Sequence, residues 1–305
     1  MRSQILVGSR ESGLALAQAN EVIKSLRELT PRLSFRVLSI KTKGDNLPET
    51  GDNRIEGKGV FTKEIEESLL KDEIQIAVHS MKDLATDLPA GLRIAAVPHR
   101  ADHRDALISR SKEKLERLPG GASVGTSSPR RKTQLLAARS DLQVREIHGN
   151  VDTRLRKLDG GGYEAIVLAS AGLARLGLEK RVTEFLSTKV MLPAIGQGAI
   201  AIEAREDDIE TIDLVSRLED NSTRRSVEAE RAFARKLGAN CRTPIAAYAK
   251  VEGNRLAIDG MVSSIDGRML VRSQLIAAST EPEKAGEELA ESLLQKGAHS
   301  ILEAA

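Results

Sequence analysis

Four turns in this sequence share a composition suited to binding anions. Val7-Gly8-Ser9-Arg10-Glu11-Ser12 is one, and Val124-Gly125-Thr126-Ser127-Ser128-Pro129-Arg130-Arg131 a second. Ile147-His148-Gly149-Asn150-Val151-Asp152-Thr153-Arg154 and Ala169-Ser170-Ala171-Gly172-Leu173-Ala174-Arg175 are the others. Each follows an apolar run with Gly, Ser or Thr and then an Arg. A helix start presents unpaired N–H groups and the positive end of its dipole. Arg adds a planar fork that takes a carboxylate or phosphate in two bonds. Several such turns together suit a ligand with many negative groups. Ordinary capping also explains each turn taken alone, with Ser128 as N-cap ahead of Pro129, and Arg130-Arg131 could be a solvated face. A phosphate-rich ligand stays open, but there is no Gly-x-x-x-x-Gly-Lys-Ser/Thr loop, and Gly120-Gly121 and Gly160-Gly161-Gly162 read as flexible turns.

Two further residues have reactive potential. In Gln75-Ile76-Ala77-Val78-His79-Ser80-Met81-Lys82-Asp83 a strand ends in a turn carrying Lys82 and Asp83. An acid among cations stays ionised. It can accept a hydrogen bond from a substrate N–H, stabilise a developing cation or shuttle a proton; the plainer role for Asp83 is a helix N-cap or a surface ion pair. His79 is expected to be structural and satisfied by backbone, and no metal-ligand spacing surrounds it or the other four His residues. The single cysteine, Cys241, lies in Leu237-Gly238-Ala239-Asn240-Cys241-Arg242-Thr243-Pro244. A lone cysteine is commonly a small buried hydrophobe. This one falls in a loop beside Arg242, and a neighbouring cation favours the thiolate, so it is a candidate nucleophile or attachment point.

The elements that must carry these residues follow from periodicity. Through about residue 200, short apolar runs alternate with helical patterns. Strands are expected at 5–7, 34–40, 74–78, 92–97, around 124, 144–147 and 166–169. Helices are expected at 14–29, 61–70, 134–138 and 152–158, with another beginning at 173–176. This is the signature of α/β layers with largely parallel sheets, whose strand ends are where ligands bind. The polar stretch 99–104 after Pro98 and Leu192-Pro193-Ala194-Ile195-Gly196-Gln197-Gly198 are candidate crossings between lobes. After about residue 220 a helix at 222–237, several strands and a helix at 282–296 describe a smaller α+β domain.

Composition narrows the function. At 305 residues the chain exceeds one ordinary core. Its 46 basic and 44 acidic residues leave a net charge of only +2, and it has four Phe, two Tyr and no Trp. Both facts oppose a nucleic-acid binder, which needs a basic excess and aromatic platforms. One cysteine fits a reducing cytosol. No run reaches membrane-spanning length, and the first residues read as a strand rather than a signal or transit peptide. A non-catalytic two-lobed solute-binding protein would explain the anion-binding turns but gives Cys241 no task.

These segments together resemble the porphobilinogen deaminase family, along nearly the whole chain. Beside the turns above, the resemblance rests on Lys43-Gly44-Asp45, Gly57-Lys58-Gly59-Val60-Phe61 and Ala77 through Asp83. It continues with Gly149-Asn150 through Thr153-Arg154-Leu155, Leu192-Pro193-Ala194 through Gln197-Gly198-Ala199, and the cysteine loop. It implies two lobes like those of periplasmic binding proteins around a central cleft, plus a smaller α+β C-terminal domain. The expected domains are residues 1–98 with 194–216, residues 99–193, and residues 217–305. It implies a dipyrromethane cofactor, joined to Cys241 by a thioether, on which four porphobilinogen molecules are deaminated and condensed before hydrolysis releases hydroxymethylbilane. Asp83 would be catalytic, bonding pyrrole N–H groups and stabilising the azafulvenium cation left by ammonia. Cofactor contacts would come from Lys82, Asp83, Thr126, Ser128, Arg130, Arg131, Arg154, Gly172 and Gln197. Substrate contacts would come from Arg10, Ser12, Arg175 and Phe61, the last in a mobile segment near the cleft. No metal, nucleic acid or membrane is implied, and a cytoplasmic monomer is expected. Three positions depart from the family's usual pattern. His148 stands where Arg is common, Ala239-Asn240 where Gly-Gly precedes the cysteine, and Pro129 where Leu is frequent.

Overall fold

The computed structural model describes residues 2–43, 61–238 and 243–303. The chain forms two compact units, Met1–Ala101 with Ala199–Arg224, and Asp102–Gly198 with Arg225–Ala305. The expected segments Lys43-Gly44-Asp45, beyond its first residue, and Gly57-Lys58-Gly59-Val60 lie outside the described residues, as do Ala239, Asn240, Cys241 and Arg242.

The first unit begins with β1 (Gln4–Ser9), α1 (Gly13–Leu29) and β2 (Ser34–Ser39), a crossover that pairs β1 and β2 in parallel. Ala15, Ala19, Val22, Ile23 and Leu26 of α1 are buried, the spacing of one helical stripe. Next come α2 (Lys63–Leu70), β3 (Ile76–Ser80) and β4 (Leu92–Ala96). In the second unit the order is β5 (Asp105–Ser109), β6 (Ser123–Gly125), α3 (Pro129–Ala138), β7 (Gln143–Arg145) and α4 (Val151–Asp159). Then follow β8 (Ala165–Ala169), α5 (Ser170–Arg175) and β9 (Glu184–Phe185). The chain returns to the first unit with β10 (Ile200–Arg205) and α6 (Ile209–Ser216). After α7 (Asn221–Lys236) the remainder is β11 (Ile245–Glu252), β12 (Arg255–Ser263), β13 (Leu270–Ala278), α8 (Pro282–Leu293) and α9 (His299–Glu303).

Each five-stranded sheet follows one scheme. The orders are β2-β1-β3-β10-β4 and β7-β6-β8-β5-β9. Three neighbouring strands pair in parallel in each, and β10 or β5 then pairs antiparallel on both sides, so four strands run one way and one runs against them. The sheets are therefore mixed, parallel but for one strand in each. The reason is connectivity: neither β5 nor β10 follows a crossover helix from a strand of its own sheet, so nothing enforces parallel pairing.

Helices cover both faces of the first sheet. Ile5, Val7, Val78 and Ile202 meet α1 on one face, and Ile65 and Leu69 of α2 meet Ile74 and Ala77 on the other. In the second sheet, Leu107, Val124 and Val167 pack with Leu135 of α3, and Ile108 and Ile166 pack with Leu155, Leu158 and Leu173. Each fully buried aliphatic side chain contributes about 1.5–3 kcal/mol, and the scarcity of aromatics leaves these cores aliphatic. The antiparallel sheet β11-β12-β13 packs Ile258 and Leu256 against Phe233, Leu289 and Leu293 of α7 and α8. The fold is thus α/β, two sheet-and-helix lobes with a smaller C-terminal α+β part. Among the described residues no helix is long and apolar enough to cross a membrane.

Candidate active site

In the first unit, β1 ends beside Ile74, whose side chain would meet an added Cβ on Gly8 at 2.3 Å. Glycine there lets the Ile74 and Ile65 side chains close over the strand that leads to Arg10. Ser12 caps α1, accepting from the Ala15 N–H at 3.3 Å. The Arg10 guanidinium lies 4.4 Å from the centre of the Phe61 ring, a cation–π contact. At the end of β3 a tight turn, Met81–Asp83, buries Met81 and exposes Lys82 and Asp83. The Met81 N–H donates to the Ala199 carbonyl at 3.0 Å, which pins this turn beside β10. Asp83 is therefore presented by a strand-end turn and is not a helix N-cap.

Arg10, Ser12, Gln18, Phe61, Thr62, His79, Ser80 and Asp83 line one pocket. Gln18 and Ser80 are hydrogen-bonded through their side chains at 2.9 and 3.1 Å. His79 departs from expectation. Its Nε2 lies 3.0 Å from the Glu203 carboxylate, with both side chains buried, so its partner is an acid rather than backbone. The pocket can hold an aromatic ring against Phe61, take a carboxylate on Arg10 and place an exposed carboxylate, Asp83, beside a developing cation.

The second unit gathers charge around a residue that the motifs do not single out. Asp105, fully buried at the start of β5, accepts from Arg130 Nη1 at 2.7 Å and from Arg131 Nη2 and Nε at 2.7 and 3.0 Å. Arg130 also donates to the Leu192 carbonyl (2.7 Å) and Arg131 to the Val167 carbonyl (3.0 Å). Gln197 donates to Asp105 Oδ1 (3.1 Å) and to the His103 carbonyl (2.8 Å). Burial opposes ionisation of Asp105, but the charges and hydrogen bonds of Arg130 and Arg131 outweigh it and hold the carboxyl well below the usual range. Arg130 and Arg131 are thus a buried, bonded pair and not a solvated face.

The helix starts frame this cluster. Ser128 caps α3 and accepts from the Arg131 N–H at 3.4 Å, and Thr126 Oγ1 accepts from the Ser128 N–H at 3.2 Å. Gly149 holds φ at 107°, a left-handed turn, and Asn150 then caps α4. Arg154 donates Nε to the Gly149 carbonyl at 2.8 Å. Burial, with the charge of Arg131 adding to it, pushes the Arg154 guanidinium down to about 10. Gly172 is buried within α5, whose start at Ser170 makes residues 173–176 the end of a helix rather than its beginning. Arg175 donates to the Gly198 carbonyl at 3.3 Å. His148 pairs with Glu146 at 3.1 Å.

Residues 5–213 match the family model for the porphobilinogen deaminase dipyromethane cofactor binding domain, and residues 225–295 that for its C-terminal domain. The chain belongs to the porphobilinogen deaminase family. Porphobilinogen deaminase of Desulforudis audaxviator is 50% identical over 99% of this chain and 98% of its own. That of Carboxydothermus hydrogenoformans is 45% identical over 99% of this chain and 97% of its own. Among solved structures, the methionine binding protein MetQ aligns with a TM-score of 0.45 at 15% identity, over 71% of this chain and 89% of that one.

The second unit's residues fit the cofactor named in the family model. A dipyrromethane made from porphobilinogen carries two carboxylates on every ring. Two guanidinium groups, those of Arg130 and Arg131, share the one carboxylate of Asp105, and a third, that of Arg154, feels the charge of Arg131. Arg154 is desolvated with no acidic partner among the described residues, so an anionic ligand would relieve its cost. Within the family pattern, then, the structure groups Arg10, Ser12, Phe61 and Asp83 in the first unit. In the second it groups Arg130, Arg131 and Gln197 on Asp105, with Thr126 and Ser128 at the start of α3. Lys82 stands beside Asp83, and Cys241 lies outside the described residues. Sequence reasoning misses Asp105, Gln18 and Glu203; the signal for Asp105 was an acid opening the apolar strand Ala106-Leu107-Ile108.

Proposed function

We propose that the chain is a hydroxymethylbilane synthase, a transferase that deaminates porphobilinogen and condenses four molecules head to tail in tetrapyrrole biosynthesis. The observation that carries this reading is the surplus of guanidinium charge in the second unit, where Arg130 and Arg131 share Asp105 and Arg154 is desolvated, in a chain of this family; it suits a polycarboxylate ligand. The division into domains 1–98 with 194–216, 99–193 and 217–305 belongs to the same reading and is supported by the three sheets.

A dipyrromethane on Cys241 would supply the free pyrrole carbon for the first ring, and each later ring would be joined to the one before it. Arg130, Arg131 and Arg154, with the Thr126 and Ser128 hydroxyls, would hold its carboxylates, and Gln197, whose amide N–H groups go to Asp105 and the His103 carbonyl, would steady Asp105 behind them. The internal hydrogen bonds of Arg130 and Arg131 make that site rigid, so little ordering is left to do on binding. Arg10 takes a carboxylate of incoming porphobilinogen while Phe61 packs on the ring, and Ser12 and Arg175 add further polar contacts. Asp83 faces the pyrrole N–H. As ammonia departs, its carboxylate stabilises the positive charge left on the substrate and then accepts the proton lost when the new bond forms. The near-neutral charge supports a small-molecule substrate without nucleic acid, and a cytoplasmic monomer completes the proposal. Incubation with porphobilinogen tests it: the reading expects ammonia release and a product that cyclises to porphyrin, and binding without either would make the chain a solute-binding protein instead.

A further inference from the structure

Three titratable side chains are shut inside the first unit on the sheet face that α2 covers. In the antiparallel register Ala201 pairs with His79 and Glu203 with Ala77, so His79 and Glu203 share that face. They meet at 3.0 Å. Glu66, on the first half of α2, is only 6% exposed. Glu66 Oε1 and Glu203 Oε1 are both buried without a hydrogen-bond partner among the described residues. Two ionised carboxylates with bare oxygens in one apolar site are strongly disfavoured, and native folds keep few such groups. One proton resolves the conflict, because a protonated carboxyl donates where an ionised one can only accept.

We infer that Glu66 holds the proton of a buried Glu66–Glu203–His79 cluster that seats the first turn of α2, making Glu66 and Glu203 positioning residues for Phe61 and Thr62 at the pocket wall. His79 and Thr62 themselves line that pocket, so the cluster lies directly behind it. Burial, with the charge of Glu203 adding to it, holds the Glu66 carboxyl above its ordinary range, although the Thr62 hydroxyl and His79 pull the other way. Glu64 on the same helix acts in the same direction as Glu203. From β10, Arg205 reaches the Leu69 carbonyl at the far end of α2 (2.9 Å). Arg93 on β4 and Lys63 and Glu67 on α2 are exposed, and β1 brings no titratable side chain. As pH rises through the elevated Glu66 value the proton leaves, the site gains a second negative charge, and α2 loses its seat. Turnover therefore falls on the alkaline side.

The inference rests on the reading of this pocket as the substrate site, and its test separates the two. Infrared difference spectra of the purified full chain, wild type against Glu66→Gln, need no substrate. A protonated-carboxyl band should be present in the wild type near neutral pH and absent from Glu66→Gln. With porphobilinogen, Glu66→Ala should lose about tenfold in kcat/KM through misplacement of the pocket wall, Glu66→Gln should restore most of it, and the alkaline fall should move to higher pH in Glu66→Gln. If Glu66→Ala does not fold, Glu203→Gln serves: its amide donates to Glu66, which gives up its proton, so the band is lost. Absence of the band from the wild type, or an alkaline limb identical in Glu66→Gln, overturns the inference. A band lost in Glu66→Gln from a chain that turns over no porphobilinogen upholds the buried proton and overturns its role in catalysis, and that failure belongs to the pocket's assignment.

Discussion

The two units hold their charged side chains in opposite ways. In the first, Asp83 is exposed on a tight turn and Arg10 rests on an aromatic face. In the second, Arg130 and Arg131 are clamped by a fully buried Asp105, by carbonyls and by Gln197. The contrast fits a division of labour. A group that must meet a changing set of rings stays accessible, whereas groups that hold one permanent polyanion are fixed in advance so that binding costs little ordering. The difference also predicts which substitutions damage chemistry and which damage the fold.

Asp83→Asn sharpens the comparison most. It should lower kcat by roughly 10²–10⁴-fold, the range for loss of a positioned acid–base group, while the thermal midpoint stays near that of the wild type. Near-normal turnover would remove Asp83 from the chemistry. Asp105→Ala should do the reverse, costing about 3–5 kcal/mol of stability by leaving two buried guanidinium groups uncompensated, which a denaturant titration reads. The pH dependence has a definite sign. Because the folded Asp105 carboxyl is held below its unfolded value, its contribution is fully present above the ordinary carboxylate range and is lost as pH falls through the folded value. Asp105→Asn should flatten that acid limb.

Much of this division was legible beforehand. The strand-turn-helix rhythm locates the Arg-bearing turns because a helix start announces itself through Ser128-Pro129 and through Gly149 ahead of Asn150, where local chemistry decides the outcome. Asp83 and Lys82 were legible for the same reason, as polar residues closing an apolar strand. Asp105 and Glu203 were not. Each sits in a strand of ordinary apolar pattern, and its importance comes from a partner on another strand or helix far along the chain, which no local period records. The same limit explains the sheets: parallel pairing was inferred from alternation, but the antiparallel entry of β5 and β10 depends on the route of the chain.

Smaller effects probe each side. Arg154→Ala should slow acquisition of the two-pyrrole mass by cofactor-free chain incubated with porphobilinogen, by roughly ten- to a hundredfold for a charge-assisted hydrogen bond of about 1.5–3 kcal/mol. It should leave stability unchanged or improved, since it removes a desolvated charge; the time course of the intact mass and thermal melts give the two readings. Phe61→Leu should raise KM for porphobilinogen about three- to tenfold, consistent with loss of ring packing and of a cation–π contact of about 0.5–2 kcal/mol, with kcat less affected.

The measurement that tests the central claim most directly is the intact mass of the denatured, purified chain, followed by mapping of the peptide that contains Cys241. The account predicts a mass excess of two linked pyrrole units on that peptide, either as isolated or after incubation with porphobilinogen. A chain that stays unmodified at Cys241 after that incubation would contradict it.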